Sequence, residues 1–296
     1  MTEPLEHTEH ARDRRTFLKD ALTATGSILL ATGCAPEEKK KTGESSGLGE
    51  APTRPPAAEP TVAPLPEHLD ASLFRVHKSH PLGLESKRSS MGAGVITPVS
   101  RFFVRNNLPM PPRAVVETPD TWQLTMEGVA RPATLSLPAL RQLGLDTLTS
   151  VLQCSGNGRE FFDHGASGSQ WATGAAGCAV WTGVRVSTLA AHLGGVVDGA
   201  KFMTSTGGEP LPEGVDPKKV MVERSVPLEK GLRDCLLAWE MNGAPIPLTH
   251  GGPLRMIVPG YYGCNQVKYV RRLRFEAQES DAKIQRTGYR IRPIGE

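Results

Sequence analysis

The chain has 296 residues, of which 39% are hydrophobic and 22% are charged. This length permits one large domain or two small ones, and the composition is typical of a globular protein. The formal net charge is only +3, which gives no indication of a tail that binds nucleic acid. The sequence also has no Gly-rich phosphate loop, no zinc-type cysteine pairing and no haem attachment motif.

The N-terminus has the pattern of an export signal. Arg14-Arg15-Thr16-Phe17-Leu18-Lys19 directly precedes a short apolar segment, 21–30. This pattern predicts a twin-arginine signal peptide over residues 1–34 and therefore a periplasmic protein. Leu30-Ala31-Thr32-Gly33-Cys34 resembles a lipobox, in which Cys34 would carry a lipid anchor. An ordinary cytosolic helix, or a plain signal peptide that contains a cysteine, is the alternative.

The next segment, 35–68, is rich in proline, glycine, serine and alanine. Such a composition cannot bury a core, so we predict a disordered linker, kept extended by its prolines. The folded domain is therefore expected over residues 69–296. No uninterrupted apolar stretch is long enough to span a bilayer, so no transmembrane helix is predicted.

Within the folded part, strands outnumber helices. Alternating apolar and polar residues predict a strand over Trp122–Glu127. Short helices are predicted over Leu135–Leu143 and Ser187–Leu193, each followed by glycine. Further strands are predicted over Thr147–Cys154, Leu236–Met241, Ala244–Leu248, Leu254–Val258 and Val267–Phe275, with a hairpin turn at Asn242-Gly243. Short helices among many strands predict a mixed, strand-rich α+β fold.

Cys154 is the residue with the clearest chemical setting. A thiolate is a soft ligand, which suits a redox metal and not magnesium or calcium. Its neighbours Ser155, Gly156 and Gly158 are small, so a large group can approach the backbone closely. Arg159 supplies a planar fork of donors that matches an oxyanion. A buried inert thiol is the alternative for a cysteine considered alone.

A set of motifs, in order along the chain, resembles the molybdopterin-binding domain of the sulfite oxidase family. That family also includes plant-type nitrate reductases and bacterial sulfite dehydrogenases. The resemblance covers roughly residues 100–290. Its motifs are Phe102–Pro109, Leu152–Arg159, Trp171–Ala176, Trp181–Val184, Val226–Lys230, Glu240–Gly243, His250–Arg255, Val258–Gly260 and Val267-Lys268.

The resemblance implies a catalytic set around a Mo-molybdopterin cofactor. Cys154 would bind the molybdenum beside the two dithiolene sulfurs of the pterin. Arg105 and Arg159 would hold an anionic substrate near the metal. Trp171 would line the same pocket, and the hydroxyl of Tyr289 would point at the substrate. The alternatives are a core tryptophan for Trp171 and a surface-strand aromatic for Tyr289.

The resemblance also implies which residues hold the pterin, whose phosphate and polar heterocycle require cationic and amide donors. The implied cofactor-binding residues are Phe103, Arg105, Asn106, Asn107, Cys154, His250, Arg255, Gln266 and Lys268. His250 could instead be a satisfied structural histidine. Lys268, with the arginines that follow it, could belong to a solvated strand face.

Three features depart from the family pattern. Asn107 stands where the family usually has histidine, so the donor at this position cannot titrate. The chain ends shortly after Tyr289, so we expect neither an immunoglobulin-like dimerisation domain nor the additional arginine that it contributes, which favours a monomer and weakens the case for sulfite. No haem-binding domain is fused, so electrons are expected to leave to a separate c-type cytochrome.

The sequence thus predicts a periplasmic molybdenum enzyme that transfers an oxygen atom at sulfur, with sulfite as the first candidate substrate. A reductase of an S-oxide of the methionine sulfoxide type, or of another oxyanion, is the enzymatic alternative. A metal-free lipoprotein binding module is the non-enzymatic one. Cys178, Cys235 and Cys264 have no implied role beyond structure, and a disulfide between two of them is open.

Overall fold

A computed structural model describes residues 65–66, 69–92 and 94–290. The predicted signal peptide, the lipobox-like segment with Cys34 and nearly all of the predicted linker lie outside the described residues, so they remain predictions. All described residues belong to one compact unit, 58–296. None of the described helices has the length and apolar character needed to cross a bilayer.

The described residues form short helices distributed among many strands, which confirms the predicted strand-rich α+β fold. The strands are β1 (Phe74–Lys78), β2 (Gly83–Ser86), β3 (Val104–Arg105), β4 (Gln123–Glu127), β5 (Ala133–Ser136), β6 (Asp146–Gln153), β7 (Ala176–Arg185), β8 (Phe202–Gly207), β9 (Glu223–Pro227), β10 (Leu236–Met241), β11 (Ala244–Pro245), β12 (Arg255–Ile257) and β13 (Val270–Glu276). The α-helices are α1 (Ala114–Glu117), α2 (Leu137–Arg141), α3 (Val186–His192), α4 (Pro217–Val220), α5 (Leu228–Asp234) and α6 (Lys283–Arg286). Single 3-10 turns cover Ala71–Leu73, Arg88–Ser90, Val99–Arg101, Pro119–Thr121, Arg159–Phe161, Leu248–His250 and Gly263–Asn265.

The strands form three sheets. Sheet 1 is antiparallel, with the order β1-β2-β3. Sheet 2 is also antiparallel, with the order β11-β10-β7-β6, and β12 pairs with β10 as well. Sheet 3 has the order β5-β4-β13-β8-β9, in which only the β4–β13 pair is parallel. The long strands β6 and β7 of sheet 2 lead into the region of Cys154.

Strand β10 of sheet 2 is buried on both faces. Leu237 and Trp239 of β10 join the larger core cluster, which also contains residues of sheet 3 and helix α3. Leu236 and Ala238, which point the other way, join a second cluster with Trp171 and Trp181. Because successive side chains of a strand alternate between faces, this double burial explains the continuous apolar run at Leu236–Trp239.

Two predicted elements have different bounds in the structure. The helix predicted over Leu135–Leu143 is wrong in its first two residues, since Leu135 pairs with Leu124 in sheet 3. The helix begins only at Leu137, because the hydroxyl of Ser136 accepts a hydrogen bond from the Ala139 amide and caps the first turn. The strand predicted over Ala244–Leu248 is shortened to Ala244–Pro245, since prolines have no N–H to continue a ladder.

The other predicted elements are confirmed within a few residues. The helix α3 and the strand β6 begin one residue earlier than predicted, and the turn at Asn242-Gly243 joins β10 to β11. The last strand, β13, begins at Val270 instead of Val267. Tyr269 has a positive φ of 54°, which interrupts extended backbone at this position.

Sheet 3 contains a buried acid whose interactions make a stability prediction. Glu223 of β9 is fully buried, accepts a hydrogen bond from Thr206 at 2.6 Å and lies 3.1 Å from a guanidinium nitrogen of Arg274. Burial acts to raise its pKa, but hydrogen bonds from Ser280 and Thr206 and the charge of Arg274 hold the pKa below its usual value of 4.5. The ionised form therefore stabilises the fold above that pH.

Replacement of Glu223 by glutamine is expected to lower the free energy of unfolding at pH 7 by about 3 kcal/mol, since it removes the fully buried carboxylate that pairs with Arg274 and leaves the partly exposed Glu276 as the remaining described partner of this guanidinium. The difference in the free energy of unfolding between the wild type and the variant should begin to decrease below pH 4.5, where Glu223 of the wild type takes up a proton when the protein unfolds. Urea titrations at pH 7 and below pH 4.5 would measure both effects. The exposed Glu229→Gln is the control, and an equal loss in both variants would contradict the prediction.

Candidate active site

An inner cavity of about 670 Å³, counted out to its open mouth, lies where these elements meet. All but two of the residues that the sequence predicts for the site line it: Phe103, Arg105, Asn106, Asn107, Cys154, His250, Arg255, Gln266, Lys268 and Tyr289. They come from segments far apart in the chain, and the fold brings them together. The two exceptions are Arg159 and Trp171.

Cys154 lies at the end of strand β6, on the wall of the inner cavity. The strand ends at Gln153, and the Cys154 amide still donates to the Ala175 carbonyl at 2.9 Å. The side chain is half-buried, and the Gly156 amide approaches its Sγ at 3.5 Å. The ladder of sheet 2 therefore fixes the backbone of the thiol while its side chain faces open space.

Arg159 follows Cys154 in the same loop, and its guanidinium is held by the segment around Ser169. Its Nη1 donates to the Ser169 carbonyl at 2.7 Å. A Cβ at Gly156 would lie 2.5 Å from Nη2 of Arg159, and a Cβ at Gly168 would lie 2.7 Å from Nη1. Both glycines thus leave room for the guanidinium. The sequence predicts that the small size of Gly156 admits a large external group, whereas in the structure the space beside this glycine is occupied by the guanidinium of Arg159.

Trp171 lies in the core behind the cavity. Its side chain is fully buried in the cluster that contains Phe102 and Phe103, and its ring lies 4.5 Å from that of His77, centroid to centroid. The His77 Nε2 lies 2.6 Å from a carboxylate oxygen of Glu85. This placement matches the core tryptophan that the sequence left as the alternative. A contact between Trp171 and substrate stays a prediction.

One side of the inner cavity is rich in positive charge. Arg255 of β12 is buried, and burial lowers its pKa to about 10. Its Nη1 donates to the His250 carbonyl, and its Nε has no hydrogen-bond partner. Lys268 donates to Asn106 Oδ1 at 2.8 Å and to the Thr249 carbonyl. Burial, together with the charges of Arg255 and Arg105, lowers the pKa of Lys268 well below its usual value.

No carboxylate among the described residues forms an ion pair with Arg255, Lys268 or Arg105. Glu209 lines the same cavity, but three basic groups on one wall without an ion-pair partner are unfavourable unless an anion joins them. The arrangement therefore fits a bound group that carries negative charge at this end.

The glycine after His250 explains part of this geometry. Gly251 has a φ of 101°, and a Cβ there would lie 2.6 Å from Cγ of Lys268. A side chain at this position would therefore displace the lysine. The ring of His250 is buried and packs edge-on against Phe102 at 5.5 Å between centroids. The His-Gly pair thus positions both an imidazole and the lysine stem at the cavity wall.

The amide side chains complete the polar wall. Asn106 donates to the Leu82 carbonyl at 3.1 Å while it accepts from Lys268, so its orientation is fixed by both contacts. Gln266 donates to the Tyr261 carbonyl at 3.0 Å, and its buried Oε1 has no hydrogen-bond partner. Asn107 lies at the exposed edge of the cavity. The side-chain amides of Asn106 and Gln266 are thus held in place, and the free Oε1 of Gln266 could accept a hydrogen bond from a polar heterocycle.

Two polar residues of the inner cavity were missed by the sequence analysis. Burial raises the pKa of Glu209 to about 7, against the opposing effect of the Lys268 charge. Burial also raises the pKa of the Cys264 thiol, although Arg224 acts to lower it. Glu209 lies in a loop outside every motif and carries no sequence signal. Cys264 had one weak signal, its position two residues before Gln266. All four described cysteines, Cys154 and Cys264 included, are free thiols.

Tyr289 connects the inner cavity to a second, outer cavity. Its backbone has a φ of 53°, and its side chain is 41% exposed. The outer cavity shares Ser155, Cys264 and Tyr289 with the inner one and is also lined by Arg224 and other residues. Burial of the ring raises the pKa of Tyr289, although the charge of Arg105 acts to lower it. Its hydroxyl is therefore protonated and can donate a hydrogen bond.

The family model of the oxidoreductase molybdopterin binding domain matches residues 109–284. The chain belongs to this family. Mo-molybdopterin is therefore its cofactor, and the predicted molybdopterin-dependent oxidoreductase is confirmed at the level of the family. The matched segment contains Cys154 and two of the three cations that line the inner cavity, Arg255 and Lys268. The third cation, Arg105, precedes the segment. These three residues are called the cationic wall.

The chain is also similar in sequence to individual sulfite oxidases. The mitochondrial sulfite oxidase of Drosophila melanogaster is 32% identical over 224 residues, which are 74% of this chain and 38% of that protein. The sulfite oxidase of Gallus gallus is 33% identical over 262 residues, 86% of this chain and 54% of that protein. The chain thus spans about half the length of such relatives, or less.

A solved structure agrees in fold. The sulfane dehydrogenase SoxCD from Paracoccus pantotrophus superposes with a TM-score of 0.62 at 24% sequence identity, over 82% of this chain and 59% of that one. At this identity, the likeness concerns the fold alone. It confirms the predicted sulfite-oxidase-type fold of the domain.

The residues of the inner cavity fit the molybdenum–pterin group. Cys154 offers the soft thiol that the metal requires, and no cluster of three His, Cys, Asp or Glu ligands competes with it among the described residues. Arg255 and Lys268 suit the phosphate of the pterin. The unpartnered Nε of Arg255 and Oε1 of Gln266 are a donor and an acceptor that a polar heterocycle would satisfy.

Proposed function

We propose that this chain is the catalytic domain of a periplasmic enzyme that oxidises sulfite to sulfate. The observation that carries the proposal is the meeting of Cys154, Arg105 and Tyr289 on the wall of one cavity. A thiol ligand, a guanidinium and a protonated phenol are the groups needed to bring an oxyanion to a molybdenum centre. The likeness to the sulfite oxidases supports sulfur as the atom that reacts.

The bound molybdenum–pterin group supplies oxygen-atom transfer and accepts two electrons. The overall reaction balances as sulfite plus water giving sulfate, two protons and two electrons. The protein residues bind and orient the anion, and the cofactor performs the redox chemistry.

Arg105 and Tyr289 have distinct roles in this proposal. The guanidinium of Arg105 donates to the Asn106 carbonyl, and the residue lines the inner cavity. It neutralises the oxyanion as it arrives. Tyr289 donates a hydrogen bond from its protonated hydroxyl, at the boundary of the two cavities. Fixed donors of this kind contribute about 3 kcal/mol each when aimed at developing charge.

The electrons would leave to a separate c-type cytochrome, and the protein would reach the periplasm by the twin-arginine route. The signal pattern at Arg14-Arg15 supports the route, and Cys34 supports a lipid anchor. An enzyme that loads its cofactor in the cytoplasm is exported already folded by this route. Fractionation of cells that express the full chain, with and without Arg14-Arg15→Lys-Lys, would test it, since the variant should stay in the cytoplasm.

Two parallel assays test the reaction. The holoenzyme should reduce ferricyanide when given sulfite, and should not oxidise a reduced viologen dye when given methionine sulfoxide. Turnover in the second assay alone would replace sulfite oxidation by S-oxide reduction on the same cofactor. Protein purified without stoichiometric molybdenum, from a host in which a control molybdoenzyme is fully loaded, would leave a metal-free binding module as the function.

A further inference from the structure

Arg224 is a buried cation of the outer cavity that no motif of the sequence singled out. It lies on strand β9 directly after Glu223, and only 5% of it is exposed. It lines the outer cavity, which shares Ser155, Cys264 and Tyr289 with the inner one. A solute that crosses from the outer to the inner cavity therefore passes Arg224 first and Cys154 later.

The hydrogen bonds of Arg224 all go to neutral acceptors. Its Nε donates to Asn265 Oδ1 at 3.1 Å, and its Nη1 donates to the Ile284 carbonyl and, at 3.5 Å, to the Gly288 carbonyl. These contacts fix the orientation of the guanidinium. No described residue accepts a hydrogen bond from its Nη2 in the structure, so this nitrogen is the donor that an oxyanion could take.

No described carboxylate forms an ion pair with Arg224. Glu279 lines the same cavity and acts weakly to raise the pKa of Arg224, but its carboxylate is engaged by Arg290 and Gln285. Burial lowers the pKa of Arg224, but a guanidinium stays charged at neutral pH. A buried charge without a counterion is costly, and an anion in the outer cavity would relieve that cost.

Tyr289 is the second member of this arrangement. The Arg224 guanidinium carbon lies 5.9 Å from the centroid of the Tyr289 ring. The backbone carbonyl of Gly288, directly before the tyrosine, accepts from the same guanidinium. Arg224 therefore holds the segment that carries Tyr289 and offers a charge next to its phenol.

We infer that Arg224 and Tyr289 form an outer anion-binding subsite that takes a small tetrahedral or pyramidal oxyanion on its way to and from Cys154. The inference rests on the proposed function for its substrate class, since sulfite and sulfate are anions of this shape. Arg224 is a specificity-determining residue in this arrangement: it favours anionic substrates over neutral S-oxides.

Sulfate binding to the holoenzyme tests the subsite without turnover. The apparent Kd for sulfate, measured by the thermal shift, is expected to rise about tenfold in Arg224→Gln, since a charge-assisted hydrogen bond is lost. Arg224→Lys keeps the charge and should retain most of the binding. The exposed Arg233→Gln is the control and should bind as wild type does. Sodium phosphate is the second probe, and equal binding of both would identify a general oxyanion site.

Kinetics separate this role from a structural one. For sulfite, Arg224→Gln should raise KM about tenfold with a smaller change in kcat, whereas a merely structural role would lower kcat and molybdenum content together. Sulfate affinity that is unchanged in Arg224→Gln would overturn the inference. If both variants fail to fold, phenylglyoxal modification of Arg224 in the wild type, mapped by mass spectrometry, replaces them: protection by sulfate supports the subsite and lack of protection rejects it.

The two proposals fail in different ways. Wild-type protein that binds sulfate through Arg224 but does not oxidise sulfite would remove the proposed function and leave the subsite. Wild-type protein that oxidises sulfite with no dependence of sulfate binding on Arg224 would remove the subsite and leave the function.

Discussion

Replacement of Cys154 by serine is expected to abolish sulfite-dependent reduction of ferricyanide while the protein stays folded. A hydroxyl is a hard, weakly acidic ligand and cannot replace a thiolate on a redox metal. Even residues that only orient a metal ligand change affinity or activity by about 10- to 100-fold when replaced, so loss of the ligand itself should exceed 100-fold. The backbone of Cys154 is held by the ladder to Ala175, and that hydrogen bond does not involve the thiol.

The control is Cys178→Ser, on the neighbouring strand β7, where Cys178 lies opposite Val151 and lines neither cavity. Both variants should give the circular dichroism spectrum of the wild type, and Cys178→Ser should keep its activity. Molybdenum and pterin content, measured together, show whether serine loses the cofactor or holds it in an inactive form. An active Cys154→Ser protein with full molybdenum would contradict the role of the thiol.

The sequence located most of the inner cavity because its residues lie in compact motifs. Cys154 and Arg159 belong to one motif, and His250 and Arg255 to another, so short spacing along the chain keeps each pair together. The family resemblance then relates the motifs to each other, and the structure brings Cys154, His250 and Arg255 to the same cavity. Periodicity found the strands around them for the same local reason, since alternation along a strand reports which face is buried.

The rest of the site depends on contacts that no local pattern encodes. Glu209 and Arg224 reach the cavities because β8 and β9 pair in sheet 3, beside the loop that carries Lys268. Trp171 was placed at the pocket by its motif, but its packing against His77 decides its position in the structure. The small size of Gly156 was read as access for a ligand, and only the fold shows that the Arg159 guanidinium occupies that space.

The cationic wall gives the second prediction with a large effect. Replacement of Lys268 by methionine keeps a side chain of similar length but removes its ammonium. A hydrogen bond to a charged group contributes about 1.5 to 3 kcal/mol, so the affinity for the pterin should fall about 10- to 150-fold. The protein should be purified with reduced molybdenum and pterin content, measured by metal analysis and by fluorescence of the oxidised pterin. The exposed Lys201→Met is the control and should load fully.

Thermal unfolding separates cofactor binding from folding in this variant. Burial, together with the charges of Arg255 and Arg105, lowers the pKa of Lys268. Its replacement by methionine relieves the repulsion between these charges but removes the hydrogen bonds that Lys268 donates to Asn106 and to the Thr249 carbonyl, so the two effects oppose each other in the apo-protein. Both effects are also present in the holoprotein, but the difference between holo- and apo-protein depends on cofactor affinity, because a ligand stabilises the folded state in proportion to the logarithm of its affinity. The gap in Tm between holo- and apo-protein should therefore shrink in Lys268→Met, whichever way the apo value moves. An unchanged gap, with full cofactor content, would show that Lys268 does not contact the pterin.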